Sequence, residues 1–201
     1  MRKKSRQRDA RSIVLREAYR EFRLKGFQAA NINKIASKTK MTKGAMYYYF
    51  KRKKDIGYAV VDDLIEDMVT KVWLQPLRSC EDPIECLQNI IRKTTAQLTE
   101  EDIQLGEPLI NLALEMAPLD KGFRQRFDRL RITWCKAVAA ALRRGQKSGH
   151  VSTTIHPVKI ATQLLAFMIG NGALGRSSQS MKLFRNCQKN LVRFLQSLRP
   201  A

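Results

Sequence analysis

The chain has few of the residues that build metal centres, disulfide frameworks and catalytic sites. Its 201 residues include four cysteines and two histidines, and no two cysteines form a C-x-x-C pair. This pattern excludes a zinc site of the usual kind, and we expect reduced thiols, no metal and no cofactor. Acidic residues cluster between Glu100 and Glu115 without a histidine, a nucleophile–base pair or a phosphate-cradling loop, so an enzyme is not expected.

Long hydrophobic runs are also missing. The chain opens with basic residues, but no apolar stretch follows them as it would in a secretory signal. The most apolar segment, residues 160–174, is interrupted by Gln163 and Asn171, and its length predicts that it does not span a bilayer. We therefore expect a cytoplasmic protein without membrane contact.

Negative charge is scarce in the first quarter of the chain. Residues 1–55 carry 18 basic and 4 acidic side chains, whereas residues 56–201 carry 20 and 14. Such a local excess is typical of a protein with a polyanionic partner, because neutralising phosphates releases condensed counterions. A merely solvated basic surface is the alternative, and the elements within this segment decide between the two.

Helical periodicity runs along the whole chain, without a strand pattern. Val14, Ala18 and Phe22 recur at four-residue steps, and Gly26 is expected to end this first helix. Longer helices are predicted over residues 53–74, 82–98, 107–116, 120–147, 157–174 and 181–198. Pro76 is expected to close the first of these. The result is an all-α fold of about nine helices.

Two short helical patterns joined by a tight turn follow the first helix. Asn31 is a good N-cap for one and Thr42 for the other, and Met46, Tyr47 and Phe50 are available to the core. Two short helices at a steep angle form a helix-turn-helix, whose second helix can enter the major groove of DNA. The basic excess therefore lies on an element suited to reading DNA.

The motif extends over several joined elements. It comprises Phe22, Gly26-Phe27, Asn31-Ile32, Ile35-Ala36, Lys40-Met41-Thr42, Gly44 with Tyr47 and Phe50, and Lys53 with Ile56. With this spacing, residues 8–64 resemble the DNA-binding domain of the TetR (tetracycline repressor) family of bacterial regulators. Lys40 stands where the family prefers a turn glycine, a position that often needs a positive φ. The resemblance implies a helix-turn-helix domain in residues 1–55 and a ligand-binding and dimerisation domain in residues 56–201.

Contacts with DNA are assigned by this resemblance and by side-chain chemistry. Lys43 is the candidate for a base edge, because lysine commonly reaches guanine O6 and N7 in the major groove. Thr42 and Lys53 would hold phosphates, and Gly44 would let the helix approach closely. We expect one of Tyr48 and Tyr49 to be exposed. The full set of predicted contacts is Asn31, Asn33, Thr42, Lys43, Gly44, Ala45, Tyr47, Tyr48, Tyr49 and Lys53.

The last two helices are expected to form a homodimer. By the same resemblance, residues 157–174 and 181–198 pair with a second subunit as a four-helix bundle. The first segment is apolar on more than one side, which suits burial against both its own core and a partner. The apolar face of the second segment consists of Leu191, Phe194, Leu195 and Leu198. Burial within a single chain is the alternative.

A pocket for an unknown small molecule is expected between the helices of residues 82–150. Glu107, Asn111 and Glu115 recur at four-residue steps on one helical face and would supply polar contacts. The apolar lining is predicted to consist of Leu112, Met116, Phe127 and Trp134. If these side chains fill the space themselves, no cavity is left.

Residues 106–116 and 118–124 also resemble, more weakly, a subgroup of TetR regulators that sense electrophiles or small unsaturated acids. In that subgroup a reactive cysteine commonly follows the glycine, but here that position is Glu107. A carboxylate forms no thiol adduct, so covalent sensing is not expected at this position.

These features together predict a DNA-binding transcriptional regulator. We expect a dimeric repressor that binds a palindromic operator and is released by a small-molecule ligand. A constitutive or architectural DNA-binding protein without ligand control is the alternative. The large hydrophobic bundle behind the DNA-binding segment argues against it, because architectural binding does not require one.

Overall fold

Helices make up the architecture. In a computed structural model, the backbone is described for residues 2–39 and 41–200, and the side chains for the same residues except 2–9 and Lys43. These ranges contain no strand, and the predicted all-α fold is confirmed. The helices are α1 (Arg2–Ala29), α2 (Ile32–Lys38), α3 (Lys43–Tyr49), α4 (53–79), α5 (Pro83–Gln97), α6 (Glu100–Leu105), α7 (Pro108–Met116), α8 (Lys121–Lys147), α9 (Pro157–Ser178) and α10 (Met181–Gln196).

Local capping determines the boundaries of the first helices. Regular α1 geometry breaks at Gly26, whose φ of 78° and ψ of 169° belong to a region that essentially only glycine occupies. Asn31 Oδ1 accepts the N–H of Asn33 at 2.9 Å, and Thr42 Oγ1 accepts that of Ala45 at 3.1 Å. Both residues therefore cap the helices that the sequence assigns to them.

The long helix α4 continues past Pro76, so the prediction that this proline closes it was wrong. It alternates α-helical Lys53–Ala59, Glu66–Val69 and Gln75–Ser79 with π-helical Val60–Ile65 and Thr70–Leu74. Pro76 lies in the first turn of the last piece, where the missing N–H is tolerated. The wider π turns also shift the apolar face of the helix, and Met68 is 47% exposed.

Two other helices differ from the sequence prediction. Helix α6 was not predicted, and it begins with a reciprocal capping pair in which Thr99 and Asp102 each accept the other's backbone N–H. Helix α9 runs through Gly175, where we expected a loop, and ends at Ser178. Gly175 packs closely against Phe184, since an added Cβ would lie 3.1 Å from that ring, and this contact keeps the segment helical.

Helix α9 has an unusually large uncovered apolar surface. Its 22 residues and a mean hydropathy of 1.2 are sufficient, by length and composition, for a membrane-crossing helix. The helix reaches this length because it extends beyond the apolar run of residues 160–174 at both ends. Only 17% of its most apolar stretch is buried by the described chain.

The chain divides into two compact units. The N-terminal unit comprises the chain up to Asp67 together with Pro108–Asp128, and the C-terminal unit comprises Met68–Glu107 and the residues from Arg129 onward. A boundary between residues 55 and 56 stays a prediction.

An aromatic cluster forms part of the core of the N-terminal unit. The Phe27 ring lies 5.1 Å from that of Phe22 and 5.0 Å from that of Phe123. Gly57 leaves room for this packing, since an added Cβ would lie 2.5 Å from Phe123 and 2.6 Å from Phe27. The start of α8 is therefore part of the core on which the helix-turn-helix rests.

Helices α5, α8, α9 and α10 supply most of the core of the C-terminal unit. Leu191 and Leu195 on α10 and Leu198 just after it are 3%, 0% and 4% exposed, and they pack into this core. The expectation that these three side chains face a second subunit was therefore wrong, because their own chain covers them. Pairing through segment 181–198 as a whole stays a prediction. Buried Gln88 completes the packing by donating from Nε2 to the Val192 carbonyl at 3.0 Å.

Candidate DNA-binding site

Helix α3 has one buried and one exposed side. Met46 and Phe50 are 1% and 4% exposed, and they anchor the helix in the core of the N-terminal unit. Tyr48 is 69% exposed, which agrees with the expectation that one of the adjacent tyrosines faces outward. Its ring meets that of Tyr49 edge to face at 5.4 Å. Tyr47, which we expected to be partly in the core, is 36% exposed.

The N-terminal end of α3 is open to an approaching ligand. Gly44 and Ala45 are exposed, and a Cβ added to Gly44 would meet only the Thr42 hydroxyl oxygen, at 4.0 Å. Thr42 Oγ1 accepts the N–H of Ala45, so its hydroxyl hydrogen remains available to a phosphate. The Lys43 side chain and Lys40 lie outside the described residues, so their roles stay predictions.

Helix α2 supports α3 and presents Asn31 and Asn33 to solvent. On α2, Lys34 Nζ lies 3.7 Å from Glu21 Oε2 of α1. The Glu21 side chain is 3% exposed, and a carboxylate so deeply buried requires a nearby cation. The sequence did not predict this pair, because nothing in the helical pattern of α1 distinguishes Glu21 from a polar residue exposed to solvent.

The ammonium group of Lys53 is directed into the protein. Its Nζ donates to the carbonyls of Gln28 at 2.9 Å and Ala30 at 2.6 Å, and it lies 5.1 Å from the centre of the Phe27 ring. Burial lowers the pKa of Lys53, and the charge of Glu115 partly opposes this. Lys53 thus fixes the turn between α1 and α2, and its contact with a phosphate stays a prediction.

Glu115 of α7 binds the other side of the same turn. Its two carboxylate oxygens accept the N–H groups of Phe27 and Gln28, both at 2.7 Å. A Cβ added to Gly26 would lie 2.9 Å from Oε2, so the approach of the carboxylate also depends on glycine there. The structure gives Glu115 partners within the protein, and its predicted contact with a ligand remains untested.

A second connection joins α4 to the start of α8. The Tyr58 hydroxyl donates to Asp120 Oδ1 at 2.5 Å, and Asp120 also accepts the N–H of Phe123 at 2.9 Å. These hydrogen bonds lower the pKa of Asp120, the one from Tyr58 most strongly. The guanidinium of Arg126 lies 4.0 Å from the centre of the Tyr58 ring, and its Nε donates to Asp62 at 2.9 Å.

The residues predicted to line a ligand pocket are divided between the two units. Leu112, Met116 and Phe127 are buried in the N-terminal unit, where Asn111 is partly exposed. Trp134 is buried in the C-terminal unit, edge-on to Trp73 at 5.5 Å. Glu107 is exposed. Their role as a pocket stays a prediction.

Comparison with known families decides the identity of this arrangement. Residues 14–59 match the family described as bacterial regulatory proteins, tetR family. Residues 83–189 match the tetracyclin repressor-like C-terminal domain. The chain belongs to the TetR family. It is a DNA-binding transcriptional regulator, as the sequence predicts.

Relatives and solved structures agree with this membership. An uncharacterised HTH-type transcriptional regulator in the lacX 3′ region of Lactococcus lactis subsp. lactis is 31% identical over 111 residues, which cover 53% of this chain and 54% of the relative. The regulator YxaF of Bacillus subtilis (strain 168) is 28% identical over 116 residues, covering 58% and 61%. The matches thus span little more than half the length of these relatives.

Among solved structures, a regulatory protein TetR from Rhodobacter sphaeroides shares the fold, with a TM-score of 0.81 and 20% identity. The similarity covers 92% of this chain and 97% of that one.

Proposed function

We propose that this TetR-family regulator is a dimeric repressor that binds a palindromic operator and is released by a small-molecule ligand. The observation that carries the proposal is the uncovered apolar surface of α9. Phe167 and Leu174 are 38% and 51% exposed and lie about two turns apart on one face of this helix. A Cβ added at Gly170 would meet nothing within 4 Å, so a second helix has room to approach. Contiguous exposed apolar surface of this kind is typical of an interface.

A two-fold dimer would explain a palindromic operator. Each half-site then meets one copy of α3, and the two copies lie in successive major grooves about 34–36 Å apart. Lys43 would read a base edge, whereas the Thr42 hydroxyl and the exposed Tyr48 would bind phosphates. The excess of basic over acidic side chains in residues 1–55 would strengthen all of these contacts.

The dimer is tested with Leu174→Glu, which places a charge on the exposed face of α9. We expect the wild-type chain to sediment as a dimer at micromolar concentration. The variant should sediment as a monomer and bind a palindromic site weakly. Leu114→Glu is the matched control, because Leu114 is 67% exposed on α7, outside the proposed interface. Leu195 is unsuitable for this test, since charging a fully buried side chain would unfold the chain.

A monomeric wild-type protein at that concentration would contradict the proposed dimer. Equal dissociation of the two leucine variants would also contradict the proposed interface, because the effect would then not be specific to α9.

Release by a ligand would act through segment 108–128. This segment belongs to the same compact unit as the helix-turn-helix, and Glu115 and Asp120 join it to α1 and α4. A ligand that displaced α7 would therefore move the turn that carries α2. It must bind the released state more tightly than the DNA-bound state, because equal affinity shifts no population. The test is operator dissociation measured across a panel of metabolites and xenobiotics, and indifference to all of them would count against ligand control.

Binding to DNA without ligand control is the second candidate, and the basic excess of residues 1–55 favours it. A salt titration distinguishes a specific repressor from an architectural protein by comparing the affinity for an operator with the affinity for random DNA. A specific repressor binds the operator more tightly at every salt concentration, whereas equal affinities and equal salt slopes would support the architectural function. In either case we infer that the protein acts in the cytoplasm, where its DNA lies.

A further inference from the structure

Two cysteines lie on either side of the short turn between α4 and α5. Cys80 caps the end of α4, and its backbone N–H donates to the carbonyl of Pro76 at 3.2 Å. Cys86 lies near the start of α5, where its N–H donates to the carbonyl of Asp82 at 3.0 Å. The two cysteines therefore flank a short turn within one compact unit.

The two thiols lie near enough for Cys80 to raise the pKa of the Cys86 thiol. The Sγ of Cys80 donates to the carbonyl of Leu77 at 3.6 Å. Both cysteines are free and partly exposed. They line an open cleft of about 460 Å³ together with Glu85, Asn89 and His150, so a small polar molecule from solvent reaches them.

We propose that Cys80 and Cys86 form a redox-active dithiol that a hydroperoxide closes to an intramolecular disulfide. Both cysteines line the same cleft, and closing the disulfide would bring the two sulfurs to an S–S bond length of about 2.05 Å. A metal site is less suited to this place, since no group of three side chains with metal-ligand geometry occurs in the described part of the chain. The proposal goes beyond DNA binding and does not depend on it.

The reaction proceeds in two balanced steps. The Cys80 thiolate attacks one peroxide oxygen and the O–O bond breaks. Cys80 is then a sulfenic acid, and the peroxide is reduced to water or an alcohol. The sulfur of Cys86 next attacks the sulfur of Cys80, the S–O bond breaks, and the proton of Cys86 leaves with the hydroxyl group as water. In total, two thiols lose two electrons and two protons to one hydroperoxide.

The environment of Cys86 determines the order of these steps. Burial, followed by the hydrogen bond and charge of Cys80, raises the pKa of the Cys86 thiol to about 12. Because the thiolate is the nucleophile, the raised pKa makes Cys86 the slower thiol to react, and we assign the first attack to Cys80. Once Cys80 is an uncharged sulfenic acid, its charge no longer opposes ionisation of Cys86, and the second step becomes easier.

The test uses the full chain, hydrogen peroxide, alkylation with N-ethylmaleimide and digestion with trypsin. Cleavage after Arg78 and Arg92 releases Cys80 and Cys86 in one peptide, residues 79–92. Cys135 and Cys187 fall in the separate peptides 132–136 and 186–189 and serve as internal controls. We expect the oxidised 79–92 peptide to lack two hydrogen atoms and to resist alkylation until it is reduced with dithiothreitol.

A second measurement identifies the intermediate. In Cys86→Ser the sulfenic acid on Cys80 has no partner, so dimedone should label Cys80 after peroxide treatment. The proposal is overturned if the wild-type 79–92 peptide remains doubly alkylated at peroxide concentrations that oxidise Cys135 or Cys187. Disulfides only between separate chains would overturn it equally.

Discussion

Removing the carboxylate of Glu115 tests whether α7 holds the turn in front of the helix-turn-helix. In the structure its two oxygens accept the N–H groups of Phe27 and Gln28, both at 2.7 Å. These N–H groups directly follow Gly26, where the regular α1 helix breaks. Glu115→Ala removes both acceptors and leaves the rest of α7 a good helix former.

The magnitude follows from the two hydrogen bonds. A hydrogen bond to a charged group contributes about 1.5–3 kcal/mol to stability. The bond to Phe27 is partly buried and is lost without replacement, whereas the one to Gln28 is exposed, so water can take the place of the carboxylate. We therefore expect Glu115→Ala to lower the free energy of unfolding by about 2–3 kcal/mol. Glu115→Gln should cost less, because the amide oxygen still accepts one N–H.

Urea unfolding measures this loss, and hydrogen exchange of the Phe27 and Gln28 amides locates it. Both amides should exchange faster in Glu115→Ala. Affinity for a DNA site selected from random sequence should also fall, because a looser turn holds α2 and α3 less well. Glu101→Ala is the matched control, since Glu101 is an exposed carboxylate on α6. Wild-type stability and unchanged exchange of both amides in Glu115→Ala would refute the reasoning.

Three further predictions concern the DNA-binding site and its support. Lys43→Ala should relax base preference at one or two positions by about 1–3 kcal/mol in binding to variant sites, and an unchanged preference would exclude base contact. Lys53→Ala should weaken binding to all DNA sequences alike and lower the midpoint of urea unfolding, because two carbonyls lose their donor. An unchanged midpoint would show that those hydrogen bonds contribute little to stability. Gly44→Ala should keep wild-type stability, since the added Cβ meets open space, yet weaken DNA binding; undiminished affinity would show that α3 does not approach DNA there.

A fourth prediction concerns pH. The folded-state pKa of Asp120 is lowered, so its contribution is present above the unfolded pKa of about 4 and is lost as pH falls through the folded value. In Tyr58→Phe the stability measured by urea unfolding should depend less on pH in this acidic range. An unchanged pH dependence would show that the Tyr58 hydroxyl does not stabilise the charged carboxylate.

The sequence by itself determined the short helices of the DNA-binding domain and several helix ends along the chain. Asn31, Thr42 and Asp82 cap the helices that follow them, and Gly26 interrupts the first helix. These signals are reliable because a cap is a hydrogen bond across two or three residues, and a positive φ is a property of one residue. The family motif depends on the same short spacings, so it too could be recognised before any packing was known.

Sequence rules failed where a local signal had more than one structural solution. A proline usually ends a helix, but α4 continues through Pro76. A new α-helical segment begins just before this residue, after a π-helical segment. Gly175 suggested a loop, but close packing against Phe184 keeps it helical. In both cases the outcome depends on neighbouring elements, and helical periodicity in a single segment does not contain that information.

Only the tertiary structure decided which side chains meet. Glu115 and Phe27 are separated by 88 residues, and no spacing rule joins an acid on one helix to the backbone of another. Sequence rules also do not place Leu195. The apolar stripe of α10 to which it belongs could pack against a partner subunit or against its own core, and only the packing of α10 decides between them. The position of Cys80 and Cys86 in one cleft likewise depends on the path of the chain between α4 and α5. Hydrophobic pattern and capping act over a few residues, whereas the pairing of distant groups is determined by how the helices pack.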